Sequence, residues 1–71
     1  MPDYAEALAY RAYAYQKMGK YQEALQDASQ SSKIDPTYYL PRYIMSIVYI
    51  ATNDYHDAIK ELTECDKLSP M

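Results

Sequence analysis

Apolar residues return every three or four positions along most of the chain, which is the spacing of one face of an α-helix. In the first segment this face is formed by Leu8, Ala12, Tyr15 and Met18. In the second segment it is formed by Tyr21, Ala24, Leu25, Ala28 and Ser31. The pattern predicts amphipathic helices and no strand.

Helix boundaries follow from the residues that interrupt this pattern. Gly19 favours the left-handed backbone that ends a helix. Pro36 stops the next helix because proline cannot continue the hydrogen-bond ladder. Pro41 is tolerated in a first helical turn, so the third helix is predicted to begin between Tyr38 and Leu40. The predicted helices span about 3–18, 21–34, 38–52 and 55–68.

Three polar residues are candidate helix caps, because their side-chain oxygens can accept from the free amides of a first turn. They are Asp3, Thr37 and Asp54. Asn53 and Asp54 together predict the turn between the third and fourth helices.

The chain repeats itself at a fixed period, and Pro2, Pro36 and Pro70 share one register. Other identical pairs in this register are Tyr4 and Tyr38, Tyr15 and Tyr49, Tyr21 and Tyr55, Ala24 and Ala58, and Lys33 and Lys67. The spacing of these pairs is typical of helical hairpin repeats, in which each unit needs a neighbour to cover its apolar face.

The segments 8–36 and 38–70 resemble consecutive units of the tetratricopeptide repeat (TPR) family. The resemblance implies an all-α fold of two helix-turn-helix units, whose four antiparallel helices stack as a fragment of an α-solenoid. We expect a single domain over residues 1–71, with repeat 1 at about 3–36 and repeat 2 at about 37–70.

Close packing of the helices requires small residues where two backbones approach. The sequence offers Ala12, Ala24, Ser46 and Ala58. The second hairpin is predicted to stack on the first through Ala28, Ser31 and Ile34 on one side and Met45, Val48 and Tyr49 on the other. Arg42 stands where the family prefers a large apolar residue, so the second hairpin is expected to be looser at that end.

A narrower resemblance joins the run from Arg11 to Tyr15 to the middle repeat of Hsp70/Hsp90 co-chaperone TPR domains. In that family an Asn, a Lys and an Arg clamp the C-terminal carboxylate of the partner. The resemblance places these three residues at Tyr10, Leu40 and Ile44. A hydrogen bond to a charged group contributes about 1.5–3 kcal/mol, so loss of the clamp argues against binding of chaperone tails.

The TPR resemblance also implies that the first helix of each unit lines a concave groove. The predicted partner-binding residues are Tyr10, Tyr13, Lys17, Leu40, Tyr43, Ile44 and Ile47. Tyrosine presents a large ring with a polar tip, and exposed apolar patches mark contact sites. We therefore predict a protein–protein interaction module, a scaffold or adaptor, that binds a protein or peptide in a Tyr/Ile-lined groove.

Two alternatives remain open. The apolar stripe could be covered by neighbouring repeats or by a second copy, which would make the chain a structural or self-assembling repeat fragment, natural or engineered, without a separate ligand. The other alternative is a co-chaperone that binds Hsp70/Hsp90 C-terminal tails.

Composition excludes several other classes of protein. The net charge is -3 and the seven Lys and Arg are scattered, so no basic patch for nucleic acid is expected. No apolar run approaches the ~20 residues that span a bilayer. The single Cys forbids an internal disulfide and suits a reducing, cytoplasmic compartment.

No arrangement typical of catalysis or of a cofactor site is present, so we expect neither an enzyme nor a cofactor. His56 lies between Asp54 and Asp57, which predicts a solvated surface cluster rather than a metal site. Cys65 is predicted to be a buried structural thiol, because its surroundings are apolar.

Overall fold

The computed structural model describes residues 4–68 of the chain. Its helices are α1 (Tyr4–Lys17), α2 (Tyr21–Ile34), α3 (Leu40–Ala51) and α4 (Tyr55–Leu68). No strand occurs within these residues, as predicted. The bounds of α2 and α4 are those predicted from the sequence. The predicted cap Asp3 lies outside the described residues.

The turns that close the two hairpins are built alike. Gly19 has a φ of 77°, and Asn53, at the equivalent position of the second unit, has a φ of 65°. The next residue then donates its amide to a carbonyl five positions earlier: Lys20 to Tyr15 at 2.9 Å, and Asp54 to Tyr49 at 2.7 Å. The left-handed backbone predicted at Gly19 is therefore confirmed, and asparagine reproduces it in the second unit.

The connection between α2 and α3 corrects one prediction. Thr37 does not cap α3, because the residue before that helix is Tyr39, in helical backbone and without a side-chain cap. Thr37 instead donates its amide and its hydroxyl to Asp35 Oδ1, at 3.1 and 2.7 Å. Pro41 lies in the first turn of α3, as expected.

The second hairpin packs on the first through α3, which contacts both α1 and α2. The four predicted small residues are almost fully buried: Ala12 and Ala24 at 0%, Ser46 at 1% and Ala58 at 2% exposure. Their size lets the backbones approach, and a larger side chain at such a position overpacks by about 1–3 kcal/mol.

The centre of the core is a cluster of Ala12, Ala28, Ile44 and Met45, with Leu25, Leu40 and Tyr49 packed against it. This cluster confirms Ala28, Met45 and Tyr49 as stacking residues. Ser31 is fully buried, but its hydroxyl donates to the carbonyl of Ala5 at 2.6 Å, so it joins α2 to α1 instead.

Two predicted core residues are exposed. Ile34, predicted to stack against α3, is 41% exposed because it is the last residue of α2 and the chain turns away after it. Met18, predicted on the buried face, is 63% exposed because α1 ends at Lys17 and Met18 belongs to the turn.

An arginine–carboxylate pair crosses each hairpin. Arg11 on α1 makes two hydrogen bonds to Asp27 on α2, at 2.6 and 3.0 Å. Arg42 on α3 donates to Glu61 on α4 at 3.1 Å. Asp27 and Glu61 are one repeat period apart, whereas the two arginines occupy different positions of their units. Arg42 thus replaces an apolar contact by an ion pair, and the predicted looseness of this end stays a prediction.

Candidate functional site

Six of the seven predicted partner-binding residues keep side-chain surface in contact with solvent. We call them the tyrosine face: Tyr10, Tyr13 and Lys17 on α1, and Leu40, Tyr43 and Ile47 on α3. Each set follows the spacing i, i+3 and i+7, which places its members on one side of a helix. Tyr10, Tyr13 and Tyr43 are 58%, 46% and 47% exposed.

Ile44, the seventh predicted residue, does not line this surface. Its exposure is 0%, and it lies in the core cluster beside Ala12 and Ala28. The reason lies in the repeat: Ile44 is equivalent to Tyr10, and α1 and α2 cover the position in the second unit. Within residues 4–68 no helix precedes α1, so the same position at Tyr10 stays exposed.

Contacts within α1 hold two of the tyrosines. The Tyr10 hydroxyl donates to Glu6 Oε2 at 3.3 Å, one turn earlier. The Lys17 ammonium lies 5.5 Å from the centre of the Tyr13 ring, within the range of a cation–π contact. These contacts restrict the rings before any ligand arrives, which lowers the entropy lost on binding.

Tyr39 extends the tyrosine face beyond the predicted set. It precedes α3, lies one turn before Tyr43 and is 45% exposed. Its ring meets that of Tyr38 edge to face, with 6.3 Å between their centres. The predicted set omits Tyr39, although its four-residue spacing from Tyr43 is visible in the sequence.

A polar groove of about 950 Å³, apart from the tyrosine face, lies between α2, α3 and α4. Its wall on α2 carries Gln22, Gln26 and Gln30, and Arg42 and Glu61 stand across from them. It opens beside Met45 and Tyr49, which project from α3 roughly opposite Tyr43 at about 100° per residue. The sequence signal for this groove is the four-residue spacing of the glutamines, but the same spacing is usual on a solvated helix face and does not by itself indicate a groove.

Burial governs the titration of two groups, one on α3 and one on α4. It raises the pKa of the Tyr49 phenol, and the charges of Glu61, Asp57 and Asp54 raise it further. Burial also raises the pKa of the Cys65 thiol, helped by Asp66 and opposed by Arg42. Cys65 is half-buried rather than buried, with Sγ 3.9 Å from the Tyr39 carbonyl oxygen. A thiol held protonated in this way is a poor nucleophile.

Arg11 is fixed by charge rather than by burial. Hydrogen bonding to Asp27 and its negative charge raise the pKa of Arg11 above the ordinary arginine value. The guanidinium also lies 6.0 Å from the centre of the Tyr15 ring. This side of α1 is therefore occupied by contacts within the first hairpin.

Neither a metal cluster nor a membrane span is found in the part of the chain that the structure describes. His56 is exposed, and no three His, Cys, Asp or Glu side chains there stand close enough to share an ion. None of the four helices combines the length and the apolarity that crossing a bilayer requires.

Two stacked helical hairpins related by a fixed period define an α-helical repeat protein. Comparison with family models identifies the family of repeats. A tetratricopeptide repeat model matches residues 5–38, and a second tetratricopeptide repeat model matches residues 42–70. The chain belongs to the tetratricopeptide repeat family. No curated protein matches the chain. Repeats of this family generally serve as protein–protein interaction modules and not as catalysts.

Proposed function

We propose that this chain is a scaffold or adaptor module that binds a peptide segment of a partner protein on the tyrosine face. The observation that carries the proposal is the exposure of Tyr10, Tyr13 and Tyr43 on two helices whose other faces form the core. Large rings left uncovered beside a packed core mark a contact surface.

Burial of the rings supplies the affinity. An aromatic side chain can bury about 150–250 Å², and apolar burial is worth about 25 cal/mol per Å². The tyrosine hydroxyls can meanwhile bond to the backbone of an extended peptide. Lys17 adds one positive charge beside Tyr13. The fitting ligand is therefore a peptide with apolar side chains and an acidic residue near the Lys17 end.

The rest of the proposal concerns organisation and setting. We take residues 1–71 as one domain, with repeat 1 at about 3–36 and repeat 2 at about 37–70. The net charge of -3 and the single Cys favour a protein partner in an intracellular, reducing setting over nucleic acid or membrane. A non-catalytic role needs no cofactor.

The test starts from a displayed library of short linear peptides selected against the intact chain. Peptides that bind the tyrosine face should bind the double variant Tyr43→Ala/Ile47→Ala at least about tenfold more weakly, a loss of about 1.4 kcal/mol. The matched control is Gln26→Ala/Gln30→Ala in the polar groove, which should keep full affinity. Peptides that ignore the first variant and lose affinity with the second would place binding in the polar groove.

Binding of Hsp70/Hsp90 tails is the less favoured alternative. The structure adds to the case against it, because the position of the clamp arginine is Ile44, which is fully buried and presents nothing to a ligand. Titration with a peptide that ends in an acidic chaperone-type tail should show no binding tighter than ~10 μM, a binding free energy of about -7 kcal/mol. Tighter binding would restore this alternative.

Self-association is the second candidate function. The observation that favours it is an exposed apolar stripe on α4, which lies apart from the tyrosine face.

A further inference from the structure

α4 exposes an apolar stripe whose counterpart in the first hairpin is largely covered. The α4 stripe consists of Tyr55, Ile59 and Leu62, which are 57%, 64% and 40% exposed. Their spacing of four and then three residues puts them on one side of the helix. Ala58, which faces the core from the same helix, is only 2% exposed, whereas the stripe lies on the neighbouring side of α4 and stays open to solvent.

The repeat period shows what such a stripe packs against. The equivalents of Ile59 and Leu62 on α2 are Leu25 and Ala28. Ala28 lies fully buried in the core cluster with Ile44 and Met45 of α3, and Leu25 packs against that cluster. In the first unit the apolar face of α3 covers these positions of α2. Within residues 4–68 no helix covers the equivalent positions of α4.

We propose that a second copy of this chain covers the α4 stripe, with the two α4 helices antiparallel about a two-fold axis. Asp66 continues the stripe by one turn, so its positions are 55, 59, 62 and 66, with spacings of four, three and four. This order of spacings reads the same in both directions, as a two-fold contact requires.

The residues at these positions are complementary when one helix is reversed. Ile59 then faces the partner's Leu62, and Tyr55 faces the partner's Asp66. The Tyr55 hydroxyl, which donates to Asn53 Oδ1 at 2.9 Å in the single chain, would donate instead to the exposed carboxylate of the partner's Asp66. The interface thus has an apolar centre and a hydrogen bond to a charged group at each end.

The opposite end of the molecule does not offer an equally apolar surface. Its face on α1 carries Glu6, Tyr10 and Arg11 at the positions equivalent to Leu40, Ile44 and Met45. Arg11 is already paired with Asp27. A head-to-tail stack would bury Glu6 and Arg11 at its centre, whereas the two-fold contact has its one charged group, Asp66, at the edge and hydrogen-bonded to the partner's Tyr55. The α4 stripe shares no residue with the tyrosine face, so this proposal does not depend on peptide binding.

Sedimentation velocity over a concentration series tests the proposal. Two crossed helices bury less than the roughly 1,600 Å² of a standard interface, so the chain should pass from monomer to dimer as its concentration rises. Ile59→Lys should weaken the dimer by roughly a hundredfold or more. The interface would then bury two unpaired ammonium groups, one from each chain. Ile34→Lys, at an exposed isoleucine outside α4, is the matched control and should dimerise as the wild type does.

A charge swap tests the register. Tyr55→Glu alone should weaken the dimer because the new carboxylate faces the partner's Asp66. Adding Asp66→Lys to it should restore association, since each Glu then faces a Lys across the two-fold axis. Positions 55 and 66 are about 16 Å apart along one helix, so they cannot rescue each other within a chain.

Circular dichroism on every variant separates loss of association from loss of folding. A wild type that stays monomeric at the highest concentration overturns the proposal. Dimers that survive Ile59→Lys in a folded variant, or a charge swap that restores nothing, also overturn it. Assemblies larger than dimers would show a head-to-tail contact and contradict the two-fold arrangement.

Discussion

Asp27 and Glu61 occupy one position of the repeat, and each accepts from an arginine on the preceding helix of its own hairpin. The two arginines occupy different positions of their repeats. The carboxylate is therefore the repeated feature, and it can be paired by an arginine from more than one position on the preceding helix. Arg42 and Glu61 keep only 25% and 14% of their side-chain surface exposed. Such a half-buried pair is worth more than a surface pair, because solvent screens it less.

The Arg42–Glu61 pair can be measured by a double-mutant cycle. Replacing Arg42 by Ala should destabilise the fold, and Glu61→Ala should cost less in that background than in the wild type. We expect a coupling of about 1 kcal/mol, between the values for surface pairs and for charged hydrogen bonds inside proteins. Urea denaturation of the four proteins gives this value.

The control is the exposed pair of Lys67 and Glu64 on α4, which are 3.4 Å apart and 68% and 42% exposed. Its cycle should give no more than a few tenths of a kcal/mol. Equal coupling in the two pairs would show that burial does not strengthen the Arg42 contact.

The raised pKa values of Tyr49 and Cys65 determine how the stability of the fold should change at alkaline pH. Folding raises the pKa of both groups through burial, while the unfolded chain releases these protons near pH 10 and about pH 8.5. The contribution to stability is therefore complete below the unfolded pKa values and is lost as the pH rises through the folded ones.

Because both pKa values are raised, protonation of these groups favours the folded chain. The free energy of unfolding should fall above about pH 8.5, and Tyr49→Phe and Cys65→Ala should each make that fall less steep. Urea denaturation at a series of alkaline pH values measures the slopes. Slopes that are the same in both variants and in the wild type would refute the assignment to these two groups.

The residues at which helices begin and end were easier to predict from the sequence than the sides of the helices that become buried. α2 has its predicted bounds because glycine and proline act locally and stop a helix in any context. The prediction that Thr37 caps α3 was wrong, because the Thr37 hydroxyl donates to Asp35 instead. Only the fold shows which of two local hydrogen bonds forms. Short-range chemistry thus determines where the helices lie, and tertiary packing decides which sides become covered.

The left-handed residues of the two hairpin turns, Gly19 and Asn53, predict how substitutions at Gly19 change stability. Gly19→Ala should cost about 1–2 kcal/mol, the penalty of a left-handed backbone for a residue with a Cβ. The cost is conformational, because a Cβ at Gly19 meets no described heavy atom within 4 Å. Gly19→Asn should cost clearly less, since Asn53 already adopts this backbone in the equivalent turn. Thermal unfolding compares the two, and an equal loss in both variants would contradict the equivalence of the turns.

The stacked hairpins explain why the binding surface was only partly predictable. The repeat period makes Tyr10 and Ile44 equivalent, yet Tyr10 is 58% exposed and Ile44 is buried. The difference depends on whether another hairpin lies in front, which is a property of the whole stack. Tyr13 and Ile47 are equivalent and both keep some exposed surface, whereas Tyr43 is 47% exposed and its equivalent Ala9 is fully buried.

The ten tyrosines and the absence of Phe and Trp provide a direct probe of the proposed binding surface. The chain can be labelled with fluorotyrosine, and each fluorine NMR signal can be assigned with a Tyr→Phe variant. A peptide selected against the intact chain should shift the signals of Tyr10, Tyr13 and Tyr43 and leave those of Tyr21 and Tyr55 in place. Shifts confined to Tyr49, Tyr55 or Tyr21, with the tyrosine face unchanged, would show that partners bind elsewhere and contradict the proposed function.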